Sequence, residues 1–188
     1  MVRGAVLAPG YGGTAEQPIL LRLASGLERR GMVCERVTFG RTGGGPRNAY
    51  AAELQALREA RTRLCAAGVQ QLALVGRSFG GRMCTRLAVV EPPSALVLLG
   101  HPIRPPGRPR PEDEAALLAL RCPTLIVQGD RDERGPLSVL EAIAAQNACI
   151  ALFVLAGVGH EFGARTKDAV ARAVDWLAAV PGASAQLS

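Results

Sequence analysis

The sequence predicts an α/β protein, a three-layer α/β/α sandwich built on a six-stranded, all-parallel sheet. Strand-like and helix-like segments alternate from one end of the 188-residue chain to the other. The strand-like segments are short, continuously apolar runs, which are typical of strands covered on both faces. The length suits one compact domain, 1–188, and no repeat or linker divides it.

Six strands are predicted where apolar runs end in glycine, proline or a polar loop. They span residues 2–8, 32–39, 71–76, 95–100, 124–129 and 149–155. Between them, apolar residues recur every three or four positions, as they do on one face of a helix. The predicted helices span residues 16–30, 48–68, 79–90, 112–120, 136–146 and 164–179, with Asn48 as the expected N-cap of the second.

The composition indicates a folded domain without a membrane segment. A hydrophobic fraction of 48% supplies a core and excludes a disordered chain. The apolar runs are too short to span a bilayer, and the first residues lack the pattern of a signal peptide. We therefore expect no membrane association and a cytoplasmic location.

Charge and cysteine content point away from nucleic acids and metals. The net charge is +6, but the basic residues are scattered arginines with one lysine, and aromatic residues make up only 4%. Platforms for base stacking are therefore scarce, and no nucleic-acid partner is expected. The five cysteines contain no C-x-x-C pair, so no disulfide framework and no metal site are expected. A homodimer is compatible with the sequence.

The third predicted strand runs into GRSFG at residues 76–80, which matches G-x-S-x-G. This pattern between a strand and a helix is typical of a sharp turn that exposes a nucleophilic serine, here Ser78. The flanking glycines are required because side chains there would collide with neighbouring backbone. The backbone N–H of Phe79, at the positive end of the following helix, is an expected donor to an oxyanion.

A serine hydroxyl needs a base to remove its proton, and the chain has two histidines. His160 follows the last predicted strand and is the preferred base. His101 follows the fourth strand and is the alternative, with an ordinary role in shaping the wall of the site.

The residue that orients the base is expected in the loop after the fifth strand. Asp132, three residues after the glycine that ends the strand, is the preferred acid. Asp130 is the alternative, and its ordinary role would be to cap the turn. The chain order Ser, Asp, His fits a nucleophile on such a turn.

The loop after the first strand supplies the second expected oxyanion donor. Residues 9–13, PGYGG, place the N–H of Tyr11 there, and Gly10 lets the backbone approach a substrate. Together with Gly10, His101 and Arg104 are the expected substrate contacts, and Arg104 would favour an anionic group.

These segments resemble the α/β-hydrolase superfamily across nearly the whole chain. More narrowly, they resemble a compact dienelactone-hydrolase-like branch that includes a hydrolase-like subunit of the nonspecific lethal chromatin complex. The resemblance is carried by residues 8–13, 76–82, 101–102, 105–107, 129–132 and 159–160. It implies a minimal, lidless fold with strand order 2-1-3-4-5-6. It also implies a serine hydrolase without a cofactor that acts on a small carboxylic ester, thioester or lactone.

The sequence departs from that family pattern at three places. Pro9 and Gly10 stand where the oxyanion loop usually opens with His-Gly. An antiparallel strand pair before the first parallel strand is missing. Dienelactone hydrolases carry a cysteine at the position of Ser78, so the substrate does not carry over.

Two alternatives to a hydrolase remain at the sequence level. Residues 10–15 formally fit G-x-G-x-x-A, a dinucleotide-binding pattern, but residues 38–41 lack the acidic residue expected to bind the ribose. The chain is also compatible with an interaction module that keeps the hydrolase shape without activity.

Overall fold

The computed structural model describes residues 1–39 and 50–180, and the statements below concern these residues. They form one six-stranded sheet in the order β2-β1-β3-β4-β5-β6. Every neighbouring pair of strands is parallel, so the predicted architecture and strand order are confirmed. The strands are β1 Arg3–Ala8, β2 Val33–Arg36, β3 Gln71–Arg77, β4 Ala95–Leu99, β5 Thr124–Gly129 and β6 Ile150–Leu155.

Helices cover both faces of this sheet. They are α1 Pro18–Glu28, α2 Ala51–Ala66, α3 Phe79–Val90, α4 Pro111–Leu118, α5 Leu137–Ala144 and α6 Thr166–Ala179. A short 3₁₀ turn, Gly163–Arg165, precedes α6. None of the helices within residues 1–39 and 50–180 is long and apolar enough to cross a membrane.

The core consists of two apolar layers, one on each side of the sheet. Alternate residues of β1 show the division: Val6 packs towards α2 and α3, whereas Leu7 packs towards α1 and α6. Both side chains are fully buried. Because each strand is covered on both faces, its sequence is continuously apolar, and this pattern made the strands predictable.

Two predicted boundaries differ from the structure for local reasons. α1 begins at Pro18 rather than at residue 16, because proline favours the first turn of a helix. β2 is shorter than predicted: its neighbour β1 ends at Ala8, and the backbone N–H of Phe39 instead bonds Gly13 in the loop beyond β1. The predicted N-cap Asn48 lies outside the described residues.

A buried ion pair joins α3 to α4. Arg82 Nε lies 2.5 Å from Asp113 Oδ2, and both side chains are at most 5% exposed. Arg86 Nη2 contacts the other carboxylate oxygen at 2.7 Å. Burial alone would raise the pKa of Asp113, but the hydrogen bond and charge of Arg82 and the charge of Arg86 lower it below its ordinary value. The carboxylate therefore compensates two guanidinium groups.

We expect Asp113→Asn to lower the free energy of unfolding by about 3–5 kcal/mol, because it leaves Arg82 buried without a counter-charge. The neighbouring residue gives a matched control. Glu114 pairs with Arg104, whose side chain is 50% exposed, so Glu114→Gln should cost less than about 1 kcal/mol. Denaturant unfolding at neutral pH measures both effects, and equal losses would contradict the assignment.

Candidate active site

The turn between β3 and α3 holds Ser78 in a strained backbone conformation. Its φ is 49° and its ψ is −113°, a region that residues other than glycine rarely adopt. The backbone N–H of Ser78 bonds the carbonyl of Leu99 at 2.9 Å, which ties the turn to β4. The hydroxyl is thereby held at the carboxyl edge of the sheet, next to the point between β1 and β3 where the strand order reverses.

The two glycines of the G-x-S-x-G pattern are sterically required. A Cβ on Gly76 would lie 2.4 Å from Gly81 Cα, and a Cβ on Gly80 would lie 2.5 Å from the carbonyl oxygen of Ala8. Both contacts are with backbone, which cannot move aside without opening the sheet. Glycine therefore lets α3 pack directly against the ends of β3 and β1.

The structure brings Ser78, His160 and Asp132 into one hydrogen-bonded chain. Ser78 Oγ lies 2.8 Å from His160 Nε2. His160 Nδ1 lies 2.8 Å from Asp132 Oδ2. A carboxylate only accepts hydrogen bonds, so we assign the imidazole proton to Nδ1, which leaves the Nε2 lone pair facing the serine hydroxyl. This arrangement can remove a proton from Ser78.

Asp132, rather than Asp130, faces the imidazole. The Asp132 carboxylate also accepts from the backbone N–H of Arg134 at 2.9 Å. Asp130 accepts instead from the backbone N–H of Val158 at 3.1 Å, in the loop after β6. Hydrogen bonds from backbone N–H groups of that loop, first that of Gly157, lower the pKa of Asp130. Asp130 therefore fixes the loop that carries His160 without touching its ring.

His101 lies behind the site and not on its surface. The residue is 1% exposed, and its ring faces Gly81. Neither ring nitrogen has a hydrogen-bond partner among the described residues. Burial lowers the pKa of His101 to about 4, because desolvation penalises the charged ring. This placement does not expose the ring to a substrate, contrary to the contact expected from the sequence.

Gly10 and Tyr11 lie beside the serine. A Cβ on Gly10 would come 3.9 Å from Ser78 Cβ, so the loop backbone runs close to the hydroxyl. The Gly10 N–H is occupied by Gln17 Oε1 at 3.0 Å. No hydrogen bond leads from the backbone N–H of Tyr11 or Phe79 to any other residue that the structure describes. The two N–H groups expected to bind an oxyanion are therefore not occupied by other described residues.

Arg104 is engaged elsewhere. Its guanidinium contacts Glu114 with three short N···O distances, from 2.7 to 2.9 Å. The charge expected to favour an anionic substrate is thus largely compensated by Glu114.

Arg77 is a buried part of the site that the sequence motif does not assign. Its Nη2 donates to the backbone oxygen of His160 at 2.6 Å and contacts Glu161 at 3.2 Å. Its Nη1 lies 3.4 Å from His160 Nε2. A Cβ on Gly100 would meet Nη1 at 2.6 Å, so glycine at that position leaves room for the guanidinium. The residue next to the serine therefore holds the histidine in place.

Gln128 is the second residue that sequence reasoning missed. It is fully buried near the end of β5. Its Nε2 donates to Asp132 Oδ2 at 2.8 Å and to the Gly135 carbonyl at 2.9 Å. Its Oε1 accepts from the backbone N–H of His101 at 2.8 Å. In the sequence, the signal for Gln128 is a polar side chain that directly follows the apolar residues of β5.

The loop at residues 10–15 does not have the geometry of a dinucleotide site. In that motif the glycine loop leads directly into a helix N-terminus, which binds the phosphates. Here Gly13 N–H bonds the Gly10 carbonyl at 2.9 Å, and α1 starts only at Pro18. Among the residues described, no group of three or more His, Cys, Asp or Glu side chains could hold a metal ion.

Comparison with known proteins agrees with this geometry. Residues 3–187 match the model of a family described as the alpha/beta hydrolase domain. The chain belongs to the α/β-hydrolase family. The resemblance to the α/β-hydrolase superfamily predicted from the sequence is therefore confirmed.

Solved structures resemble this α/β hydrolase over most of its length. An alpha-beta serine hydrolase homologue from Coxiella burnetii is 25% identical, with coverage of 94% of this chain and 85% of that chain and a TM-score of 0.77. A serine hydrolase without lid from Xanthomonas campestris is 23% identical, with coverage of 97% and 85% and a TM-score of 0.72. Dienelactone hydrolase from Anabaena variabilis is 18% identical, with coverage of 94% and 85% and a TM-score of 0.76. At 23% and 18% identity, the structures from Xanthomonas campestris and Anabaena variabilis show that the fold is shared.

The buried imidazole of His101 should make the stability of this hydrolase depend on pH. In an unfolded chain, histidine binds a proton below about pH 6.5. In the folded chain His101 does so only below about pH 4. Unfolding therefore takes up a proton between these values, and the free energy of unfolding falls as the pH is lowered through this window. We expect this loss to be on the order of 3 kcal/mol.

The variant His101→Leu removes the titrating group and the two unpartnered nitrogens. Denaturant unfolding of both proteins from pH 7 to pH 4 should show a smaller decline for the variant. At pH 7 the variant should be about as stable as the parent protein. Parallel declines of the two proteins would contradict the assignment.

Proposed function

We propose that this α/β hydrolase is a serine hydrolase that cleaves a small carboxylic ester, thioester or lactone through an acyl-enzyme on Ser78. The observation that carries the proposal is the chain of two 2.8 Å contacts from the Ser78 hydroxyl through His160 to Asp132. A second support is the strained turn, since an interaction module has no physical need to hold a serine at positive φ.

In the first half of the reaction, Ser78 Oγ attacks the carbonyl carbon of the substrate while His160 Nε2 accepts its proton. The carbonyl π electrons move onto oxygen, and the resulting oxyanion accepts hydrogen bonds from the N–H groups of Tyr11 and Phe79. The tetrahedral intermediate then collapses, the bond to the leaving group breaks, and His160 gives its proton to the departing oxygen or sulfur.

In the second half, water repeats these steps on the acyl-enzyme. His160 takes a proton from water as its oxygen attacks the acyl carbon, and returns a proton to Ser78 Oγ when the acid leaves. The carboxylate of Asp132 holds the imidazole in the required tautomer and stabilises its charged form. Gln128 holds that carboxylate in place through a 2.8 Å hydrogen bond. The mechanism requires no cofactor.

The first test is covalent labelling of the nucleophile. A fluorophosphonate probe should label the parent protein, and Ser78→Ala should abolish the labelling. The same change should lower ester turnover by at least about a thousandfold, since the attacking oxygen is lost. Ser94, which precedes β4, provides a matched control, and Ser94→Ala should be labelled normally. Labelling that persists in Ser78→Ala would refute the nucleophile, and an inert parent protein would favour an interaction module.

The second test separates the two aspartates. Asp132→Asn should lower kcat on the order of 10²- to 10⁴-fold, because the amide cannot hold the imidazole tautomer as a carboxylate does. Asp130→Asn should change kcat less than about tenfold, because its oxygen still accepts from a backbone N–H. Steady-state kinetics on one short-chain ester compare the two variants. A larger loss in Asp130→Asn would overturn the proposed roles.

A further inference from the structure

An aromatic cluster borders the candidate nucleophile. The chain has seven aromatic residues in total. Four of them, Tyr11, Phe39, Tyr50 and Phe79, form this cluster. The rings of the first three lie 5.6–5.8 Å from the Phe79 ring, each in an edge-to-face arrangement. In a chain so poor in aromatic residues, this concentration beside Ser78 calls for a functional explanation.

The rings of the cluster differ in exposure, from the buried Phe39 to the exposed Tyr11. Phe39 is buried, and the Tyr50 ring lies against the guanidinium groups of Arg82 and Arg86 at 5.3 Å. Phe79 is half-buried, whereas Tyr11 is 83% exposed. A ring this exposed leaves its apolar area available to a ligand. The rings thus offer π faces and edges next to the serine.

The position of the cluster relative to His160 indicates which part of a substrate would meet it. Tyr11 and Phe39 follow β1 and β2, on one side of Ser78 in the strand order. Asp132 and His160 follow β5 and β6, on the other side. The leaving group must lie near His160 to receive its proton, and the carbonyl oxygen must reach the N–H groups of Tyr11 and Phe79. The acyl group is then the substituent left to occupy the space beside the cluster.

We infer that the substrate carries an aromatic ring in its acyl group, so that the enzyme is an arylacyl esterase or thioesterase. This inference rests on the proposed function of Ser78 and adds the substrate class. An aromatic ring packed edge-to-face on Tyr11 and Phe79 gains specific attraction beyond its apolar area. A saturated ring of similar size gains only the area term.

Two isomeric esters test the inference. Methyl phenylacetate carries its ring in the acyl group, and benzyl acetate carries it in the alcohol. Both release simple alcohols of similar basicity, and division by the alkaline hydrolysis rate removes the remaining intrinsic difference. We expect kcat/KM for methyl phenylacetate to be higher by at least about fivefold, and methyl cyclohexylacetate to lie below it by about threefold or more.

Variants of Tyr11 identify the surface responsible. Tyr11→Leu keeps the backbone N–H and an apolar side chain but removes the ring, and it should lower kcat/KM for methyl phenylacetate by about three- to tenfold. The ratio of kcat/KM for methyl phenylacetate to that for benzyl acetate should therefore fall, because any disturbance of the Tyr11 N–H affects both esters alike, and Tyr11→Phe should retain the preference for methyl phenylacetate. As a matched control, Phe153→Leu removes a ring that lies on β6 against Arg172, and it should leave the ratio unchanged.

The outcomes separate this inference from the function on which it rests. Equal rates for the two isomers, a preference for benzyl acetate, or an unaltered ratio in Tyr11→Leu would overturn the arylacyl assignment. The same holds if the fluorophosphonate labels Ser78 but neither aromatic ester is hydrolysed. Without labelling of Ser78, the proposed function fails, and the arylacyl assignment fails with it.

Discussion

The contact between the ends of β3 and α3 is the constraint on which the rest of the site depends. Glycine at positions 76 and 80 lets the two elements approach within backbone contact, because a Cβ at either position would collide with backbone atoms. The strain at Ser78 is then balanced by packing, because Met83 and Leu87 of α3 are fully buried against the sheet. Hydrogen bonds of the Ser78 backbone to Leu99 and Arg82 hold the turn from both sides. The reactive hydroxyl is therefore positioned by the core rather than by a loop.

The base is positioned by a different kind of structure, a set of polar contacts between loops. The loop after β6 is tied to the loop after β5 through Asp130 and through a backbone hydrogen bond from Arg131 to Val158 at 2.9 Å. Gln128 connects the Asp132 carboxylate to the loop after β4. Arg77, which precedes Ser78, donates a hydrogen bond to the backbone oxygen of His160. The side chains of Arg77, Gln128 and Asp132 are buried and paired, so the network fixes one geometry, and the loss of one partner would leave another unsatisfied.

Fold and nucleophile could be predicted from the sequence because their signals are local. A strand buried on both faces is apolar throughout, and the glycines around Ser78 follow from sterics within one turn. The roles of Arg77 and Gln128 could not be predicted, since a side chain's partners depend on loops that are distant along the chain. Local signals do not distinguish Asp130 from Asp132, because both follow the same strand. The burial of His101 could not be predicted, because residue type alone does not reveal that Gly81 and α3 cover its ring.

The guanidinium of Arg77 has a mechanical consequence. Arg77 directly precedes Ser78 in the chain, and its guanidinium donates a hydrogen bond to the backbone oxygen of His160 while also contacting the carbonyls of Leu99 and Gly100 at the end of β4. The loop after β6 therefore cannot detach without breaking its hydrogen bond to Arg77, a residue of the central strand β3. Loops usually open by themselves at little free-energy cost. Here the segment bearing the imidazole is tied to the centre of the sheet, so its opening carries the additional cost of a buried hydrogen bond.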